Sequence, residues 1–492
     1  NEALTQVFYR KAPTERLKGA LKAARANRHL WVNFLDNHDI ERVGARAGPA
    51  TVKQSLAALF TLPGLPCVYY GTEAGLTGAR QDMFGKADLE APLARFLREL
   101  IAFRKANPAL SRGKLKLERT AHGPGLLAWS NSYRGTRLTS VFNTAPNPVA
   151  CDLGGAGFTV RLSSAGRAAV PDVFLLEPDE FLVLAAHSTS LRVRSPNDGP
   201  TLHAPAKRAL RGAASLTYAL ADGACELSLL DNGDYGRRVP LADPEAGTVE
   251  LDTTRLGNGK HELRLLCKTK AGLSLSEPVA VTVRNPYRLM ARAKVPAAQK
   301  GGLGGIVRPP ADPSYRGQLS MSRVDALTSG RDLRLRFRMT DVTDEWNPPH
   351  GFDHVYFNVF FDFPGVPGKK ALPKLGYSRN DFEFNAGFLL YGWDMRSFGA
   401  EDSTADAYGK PLVGDVAARA DTAKNLVEFT FSSSLFGSVA GFSGVKVFIS
   451  TWDGYLGEPR AVADKKEDWN FYTTEGPGAK VPKVYDHVLL EL

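Results

Sequence analysis

Cysteine is scarce in this chain of 492 residues, which contains only four. None of them forms a C-x-x-C pair, and this spacing argues against a zinc site built from thiolates. No run of about eighteen apolar residues occurs, so the sequence predicts no membrane-spanning helix. The formal net charge is +10, but no block of about five or six basic residues stands out. A dispersed basic surface is therefore favoured over a nucleic-acid-binding patch.

The length and composition predict a folded protein of several domains. A chain of 492 residues is too long for one ordinary hydrophobic core. Hydrophobic residues make up 43% and aromatic residues 10%, as in folded proteins. The 47 glycines and 31 prolines indicate many turns, as in β-rich domains.

Helical and strand patterns alternate over residues 1–113. The apolar spacing predicts helix, strand, helix, strand and helix, and the two strands read as buried on both faces. This order is typical of a parallel sheet with crossover helices. The predicted segments are Glu15–Asn27, His29–Leu35, Thr51–Leu62, Pro66–Gly71 and Ala91–Leu110.

Short strands separated by Gly, Pro and Asn turns replace this pattern after about Gly113. They predict a small antiparallel β domain over 114–187, an immunoglobulin-like β-sandwich over 188–285 and a larger β-sandwich over 286–492. In the second of these, Cys225 and Cys267 share strand parity with neighbouring leucines and should face the core. A cross-core disulfide and two buried free thiols both remain open.

Polar residues follow both strands of the N-terminal segment. Asp36–Asp39 come directly after the first strand, and Tyr70 and Glu73 come after the second. The carboxyl ends of parallel strands lie at the same edge of a sheet, so these groups should share one rim. Asp and Asn at such positions also often cap the next helix, and spacing alone favours that simpler interpretation.

Several motifs in this region resemble the α-amylase family, glycoside hydrolase family 13. "FLDNHDIERV" is similar to the region of the seventh barrel strand, and "LPGLPCVYYGTEAGL" to the eighth strand and its loop. "RQDMF" and "FRKANPALSRG" resemble the following loop and the last barrel helix. The resemblance covers about the first 190 residues and includes the antiparallel domain that follows the barrel.

The resemblance implies a retaining glycosidase that uses three carboxyl groups, a nucleophile, a general acid and a transition-state stabiliser. It assigns the stabilising role to Asp39 and a hydrogen bond to the same sugar to His38. An anion and an imidazole at that position would strengthen their contacts as positive charge develops on the sugar. Asn37, Tyr70 and Glu73 are expected to contact substrate or to shape the wall of the site.

The nucleophile and the acid would come from the fourth and fifth strands, whereas this sequence matches only the seventh and eighth. Gly78, Arg80 and Asp82 match G-x-R-x-D, as in the nucleophile segment, but they belong to a loop and we reject the match. Two strands cannot close a barrel and would leave apolar faces and edges uncovered. We therefore expect six further β/α units, upstream or on a separate polypeptide, and we expect this chain alone to be inactive.

The last domain is less specifically similar to the C-terminal domains of glucodextranase-like and amylopullulanase-like proteins, which are related to sugar-binding or surface-associated modules. The resemblance rests on "DVTDEWNPPHGFDHVYFNVFFDFPG", "YGWD" and "STWDGYLG". Tryptophans of this domain could stack on sugar rings or pack in the core. Three aspartates are weak candidates for Ca²⁺, although turn and surface roles are favoured. These residues are Trp346, Trp393, Trp452, Asp341, Asp344 and Asp362.

The sequence thus predicts a multidomain chain with the last two β/α units of a (β/α)8 barrel followed by three all-β domains. We interpret it as the C-terminal portion of a secreted, cell-surface or periplasmic bacterial-type hydrolase. Its partners would be starch-like α-glucans or maltooligosaccharides and the remaining barrel segment, without nucleic acid. The alternative is a noncatalytic α-glucan-binding or cell-surface protein with a degenerate barrel.

Overall fold

A computed structural model shows two compact units. The first comprises Asn1–Thr253 and Gly259–Arg284, and the second comprises Thr254–Asn258 and Asn285–Leu492. The bounds of the four predicted domains stay predictions. The structure describes residues 2–26, 31–38, 42–78, 80–85, 88–154, 157–186, 200–205, 208–220, 225–241, 247–296, 301–414, 416–437, 441–455 and 457–492.

The N-terminal part of the first unit contains helices and one parallel strand pair. Val32 of the first strand lies opposite Leu65 of the second, so the predicted parallel pairing is confirmed. Prolines occupy the first turns of three helices, where the missing N–H costs no hydrogen bond. The elements are α1 (Glu2–Leu4), a π-helical turn (Thr5–Tyr9), a 3-10 turn (Thr14–Arg16), α2 (Leu17–Ala26), β1 (Val32–Asn33), α3 (Val43–Arg46), α4 (Pro49–Thr61), β2 (Leu65–Pro66), α5 (Pro92–Ala106) and α6 (Pro108–Arg112).

The predicted burial of these two strands is wrong. β1 and β2 have two residues each, and Val32 is 50% and Leu65 59% exposed. Within the described residues the sheet has only these two strands, so no third strand covers their outer edges. The apolar composition suits strands within a larger sheet, and the described residues form no such sheet around them.

Helix α4 packs on the β domain that follows. Its buried face joins a core that includes Trp129 and Phe142. Gln54 donates hydrogen bonds from Nε2 to the carbonyl oxygens of Asn143, at 2.7 Å, and Glu180, at 3.1 Å. Polar and apolar contacts therefore both fix the helical layer on this domain.

The buried guanidinium of Arg104 holds the connection from α4 to β2. It donates to the carbonyl oxygens of Phe60, Leu62 and Gly64. These include carbonyls at the end of α4 that lack a partner within the helix. Burial lowers the pKa of Arg104 to about 10. Arg104 thereby fixes the point at which β2 begins.

Seven antiparallel strands form the next part of the first unit. Five of them make one sheet in the order β3-β4-β5-β9-β7, and β6 pairs with β8. The strands are β3 (Lys114–Arg119), β4 (Leu126–Tyr133), β5 (Thr136–Asn143), β6 (Val149–Asp152), β7 (Phe158–Ser163), β8 (Val173–Leu176) and β9 (Phe181–Ala186).

The rest of the first unit is also β structure. One sheet has the order β10-β12-β15, and the other has the order β11-β18-β16-β13-β14 with β17 beside β16. The strands are β10 (Thr201–Leu202), β11 (Ala209–Leu210), β12 (Ala213–Ala219), β13 (Glu226–Asp231), β14 (Val239–Pro240), β15 (Thr248–Asp252), β16 (Gly259–Thr269), β17 (Gly272–Leu275) and β18 (Val279–Val283).

Cys225 and Cys267 form a disulfide across neighbouring strands of one sheet. Cys267 lies opposite Leu227, and both cysteines are half-buried. The bond lies within a sheet and does not cross the sandwich, so neither the cross-core disulfide nor the pair of free thiols that the sequence left open is found. A structural disulfide is typical of oxidising compartments outside the cytoplasm.

Replacing Cys225 by Ser should lower the stability of the first unit by about 2–4 kcal/mol, because the disulfide restrains the unfolded chain. The two cysteines are 42 positions apart, a loop long enough for this effect. Thermal unfolding with and without reductant would measure it. The matched control is Cys67→Ser, because Cys67 is exposed. Cys151→Ser would be a poor control, because Cys151 is buried. Equal melting temperatures for Cys225→Ser and Cys67→Ser would contradict the prediction.

The second unit is a β-sandwich. Two five-stranded sheets have the orders β19-β21-β22-β29-β28 and β27-β26-β23-β30-β35, and residues of both share one core. The strands are β19 (Arg288–Lys294), β20 (Val307–Arg308), β21 (Met321–Thr328), β22 (Leu333–Met339), β23 (Tyr356–Asp362), β24 (Ala371–Leu372), β25 (Tyr377–Ser378), β26 (Ala386–Tyr391), β27 (Asp394–Gly399), β28 (Val416–Asp421), β29 (Leu426–Phe431), β30 (Lys446–Trp452), β31 (Gly454–Tyr455), β32 (Glu458–Pro459), β33 (Val462–Ala463), β34 (Phe471–Thr473) and β35 (His487–Glu491).

The two sheets of this sandwich differ in how they meet solvent. In β22, Leu335 and Phe337 are buried while Arg336 and Arg338 point outward, as the alternation predicts. In contrast, β23 and β30 are buried on both faces. A second apolar cluster that includes Phe360 and Phe448 covers the outer face of that sheet.

Trp452 is a core residue, so its prediction as a sugar-stacking side chain is wrong. Its side chain is fully buried, and its ring is stacked on Phe471 with centroids 3.8 Å apart. Its Nε1 donates to the carbonyl oxygen of Arg460. An indole with no exposed face cannot stack on a sugar.

Among the described residues, no helix has the length and apolarity that a membrane crossing needs.

Candidate functional site

The chain segments after β1 and β2 meet at the rim that the parallel pairing creates. Asp36, which follows β1, accepts a hydrogen bond from Thr72 Oγ1 at 2.7 Å, and Thr72 follows β2. The other carboxylate oxygen of Asp36 accepts from the backbone N–H of Val43 at 2.9 Å, at the start of α3. Asp36 therefore joins both strand ends and the next helix.

Arg42 completes this junction with a buried positive charge. Asp36 is 2% and Arg42 1% exposed, and Arg42 Nη1 lies 3.6 Å from Asp36 Oδ1. Nη2 donates to the carbonyl oxygen of Tyr70, and the guanidinium carbon lies 4.7 Å from the centroid of the Tyr69 ring. The opposite charges compensate each other where water is excluded. We call Asp36, Arg42 and Thr72 the strand-end junction.

Gly71 allows Arg42 to reach the second strand end. Its φ of +82° is a conformation that favours glycine. A Cβ at this position would also lie 2.9 Å from Arg42 Nη2. A larger residue would therefore strain the turn and displace the guanidinium.

Two of the predicted site residues, His38 and Tyr70, are exposed to solvent near the strand-end junction. His38 is exposed, and its ring centroid is 5.9 Å from that of Tyr69. The rings of Tyr69 and Tyr70 are 4.5 Å apart, and Tyr70 is exposed as well. The structure thus brings His38 and Tyr70 to the same rim, through Tyr69, where a ligand can reach them.

The remaining predicted residues of this site differ in position. Asn37 and Glu73 are half-buried, the first beside His38 in the chain and the second in the turn after Tyr70. Asp39 lies outside the described residues. Asp82, in the rejected G-x-R-x-D match, lies in an exposed loop and accepts a hydrogen bond from the backbone N–H of Phe84.

Sequence reasoning missed Arg42 and Thr72. Arg42 stands inside the quoted "FLDNHDIERV" motif, but nothing in the spacing assigns it a partner. The available signal was a single Arg close to apolar residues after a predicted strand. Thr72 follows the Tyr70–Gly71 turn and carries no signal of its own.

The second unit presents a pair of exposed indoles. Trp346 is 46% and Trp393 44% exposed, and their ring centroids lie 6.1 Å apart. Of the three predicted tryptophans, these two are accessible to a ligand. We call them the tryptophan pair.

The three candidate calcium ligands do not come together. Asp341 lies 3.6 Å from the guanidinium Nε of Arg316, and Asp362 accepts from the backbone N–H of Glu383. In the described part of the chain, no three Asp, Glu, His or Cys side chains are placed to hold one metal ion. This donor set does not fit Ca²⁺, and calcium binding elsewhere stays an untested prediction.

Two regions of the chain match known protein families. Residues 6–108 match the α-amylase catalytic domain, and residues 291–491 match the C-terminal binding module, SLH-like, of glucodextranase. Both matches agree with the resemblances that the motifs predicted for these two regions.

Relatives of known function cover only part of the chain. The α-amylase of Streptomyces lividans is 29% identical over 283 residues, which are 48% of this chain and 28% of that protein. The cyclomaltodextrin glucanotransferase of Paenibacillus macerans is 30% identical over 122 residues, or 23% of this chain and 17% of that protein. The chain thus spans less than a third of each of these relatives.

Among solved structures, an Anoxybacillus α-amylase is 25% identical. The match covers 38% of this chain and 46% of that chain, with a TM-score of 0.33. This likeness adds nothing to the family matches.

Proposed function

We propose that the first unit contains the seventh and eighth strand ends of an α-amylase-type catalytic barrel. The complete protein would be a retaining hydrolase of starch-like α-glucans or maltooligosaccharides. The observation that carries the proposal is the strand-end junction, which brings the segments bearing His38 and Tyr70 to one accessible rim. The match of residues 6–108 to the α-amylase catalytic domain supports it.

The buried and exposed groups at this rim would have different tasks. Asp36 is buried and already bonded to Thr72 and Val43, so it would position the rim and not touch substrate. His38 is exposed and would donate or accept a hydrogen bond at a sugar hydroxyl. Asp39 would stabilise the positive charge that develops on the sugar at the transition state.

Further barrel strands would supply the nucleophile and the general acid. The exposed apolar side chains of Trp31, Val32 and Leu65 offer a surface that neighbouring strands would cover. These strands are the partner that we propose for residues 1–113. A chain without these strands lacks both the nucleophile and the general acid of the displacement, so we expect no hydrolysis from it.

His38→Ala in the complete protein should lower kcat/KM for maltooligosaccharides by about 10–10²-fold, the expected loss when one hydrogen bond to the substrate and transition state is removed. Steady-state kinetics would measure the effect. His203 is also exposed and lies away from the rim in sequence, so His203→Ala is the matched control. Equal activity of the two variants would remove His38 from the site. No α-glucan hydrolysis by the intact protein would favour the noncatalytic alternative.

The second unit would attach the protein to polymer or to the cell surface, which the SLH-like class of its module supports. A location outside the cytoplasm would also suit the Cys225–Cys267 disulfide.

Deleting residues 286–492 should weaken retention on insoluble starch or on cells while turnover of short maltooligosaccharides stays near that of the intact protein. Equal loss in both assays would contradict a targeting role.

A further inference from the structure

The tryptophan pair is formed by two loops at one end of neighbouring strands. Trp346 lies in the loop between β22 and β23, and Trp393 lies in the turn between β26 and β27. β23 and β26 are hydrogen-bonded neighbours, so their ends bring the two loops together. The ring planes are inclined by 35° with centroids 6.1 Å apart, and both rings keep nearly half of their surface exposed.

A buried polar network supports Trp346 from beneath. The His354 ring stacks on the indole with a centroid distance of 4.1 Å. His354 Nδ1 lies 2.7 Å from Asp353 Oδ1, and its Nε2 lies 3.0 Å from Ser314 Oγ. Asp353 Oδ2 also accepts from the backbone N–H of Trp346 at 3.0 Å. The imidazole and the carboxylate therefore fix both the ring and the backbone of Trp346.

Backbone conformation adds a second sign of a built site. Asn347 and His354 have φ of 51° and 61°, a region that non-glycine residues rarely adopt. Gly392 packs so closely that a Cβ would collide with the carbonyl oxygen of Phe352, and its own carbonyl accepts from the His350 N–H at 3.1 Å. Such strain tends to persist at functional sites, where the surrounding contacts hold it in place.

The charges near the pair argue against an anionic ligand. Asp344 and Glu345 precede Trp346 in the chain and are exposed, and Asp341 is close in sequence. Arg316 is the positive charge bonded to this group, at 2.5 Å from Glu345 and 3.6 Å from Asp341. In the described contacts of this segment, one guanidinium faces the carboxylates of Asp341 and Glu345, and this negative balance would repel a polyanion such as a charged cell-wall polymer.

We propose that Trp346 and Trp393 form a stacking platform for successive pyranose rings of a neutral α-glucan. The C–H faces of pyranose rings pack on indoles, and a rigid pair loses little conformational freedom on binding. The neutral charge of the glycan follows from the acidic surroundings. Its α-glucan identity rests on the proposed function of the first unit.

The test uses the 492-residue chain and measures depletion on insoluble starch together with calorimetric titration of maltoheptaose. Trp346→Ala and Trp393→Ala should each weaken binding about tenfold, as for central aromatic contacts. Trp469 is 52% exposed in the same unit and is not part of the pair, so Trp469→Ala is the matched control and should bind normally. Trp346→Phe should retain part of the affinity because a smaller ring remains.

Two further measurements separate this inference from the proposed function. Hydrolysis of short maltooligosaccharides by the complete protein tests the proposed function of the first unit independently of the tryptophan pair. Normal starch retention by both tryptophan variants, together with normal hydrolysis by the complete protein, would overturn the platform and leave the proposed function standing. Binding of an anionic cell-wall polymer through the pair, without binding of starch, would overturn the choice of ligand. Circular dichroism of each variant would show that its fold is intact.

Discussion

Asp39→Asn in the complete protein should lower kcat on maltooligosaccharides by about 10²–10³-fold or more, while folding stays intact. The proposed task of Asp39 is to stabilise positive charge on the sugar at the transition state, and the neutral amide cannot do so. The shape of the side chain is nearly kept, so binding of the neutral ground state should change less than kcat. Steady-state kinetics and thermal unfolding of the same preparation would measure both effects.

Asp82→Asn is the matched control for this substitution. Asp82 lies in an exposed loop, where its carboxylate bonds only locally in the contacts described above. Its replacement should leave kcat unchanged, which separates the loss of a carboxylate in general from its loss at the rim. Near-normal turnover of Asp39→Asn would remove Asp39 from the mechanism and weaken the assignment of His38 beside it.

Arg42→Met should destabilise the first unit by about 3–5 kcal/mol, because it leaves Asp36 buried without a compensating charge. The ion pair has almost no solvent exposure, at 1% for Arg42 and 2% for Asp36. Asp36→Asn should also be destabilising, since Arg42 would then be the uncompensated charge. Calorimetric unfolding of the 492-residue chain would report the loss in the first unit.

A matched control comes from an exposed pair. Arg98 lies 3.0 Å from Glu90 on the surface, and Arg98→Met should change stability by less than about 1 kcal/mol. The double variant Asp36→Asn with Arg42→Met should lose less than the sum of the two single changes, because the two side chains interact directly. A loss for Arg42→Met no larger than that for Arg98→Met would contradict the role of the strand-end junction.

The parallel strand pair could be predicted because helix and strand periods alternate over the first residues. The solvent exposure of this pair could not be predicted. Val32 and Leu65 are residues typical of central strands, and the sequence does not tell whether neighbouring strands cover them. The disulfide shows a similar limit. Strand parity gives the face on which Cys225 and Cys267 lie, but it does not tell whether their strands are neighbours in one sheet or face each other across a core.

The positions of the three tryptophans show why the hydrophobic pattern of the sequence alone does not identify a binding residue. Trp452 ends β30, which is buried on both faces, so alternation along that strand cannot separate core from surface. Trp346 and Trp393 lie in loops, where no period applies. Their pairing depends on β23 and β26 being neighbours, which only the sheet topology reveals.

At the rim, the meeting of the His38 and Tyr70 segments follows from parallel strands that end at one edge, so this part of the site could be predicted. The contribution of Arg42 could not. It depends on a long side chain that reaches across to Tyr70 through the space that Gly71 leaves open.

A crystal structure of the complete Asp39→Asn protein with a bound maltooligosaccharide would test the central claim most directly. We predict that a ring nitrogen of His38 lies within hydrogen-bond distance, about 3 Å, of a hydroxyl of the sugar at the cleavage point. Tyr70 should line the same sugar. A glucan bound at a different edge of the barrel, with His38 out of reach, would contradict the account.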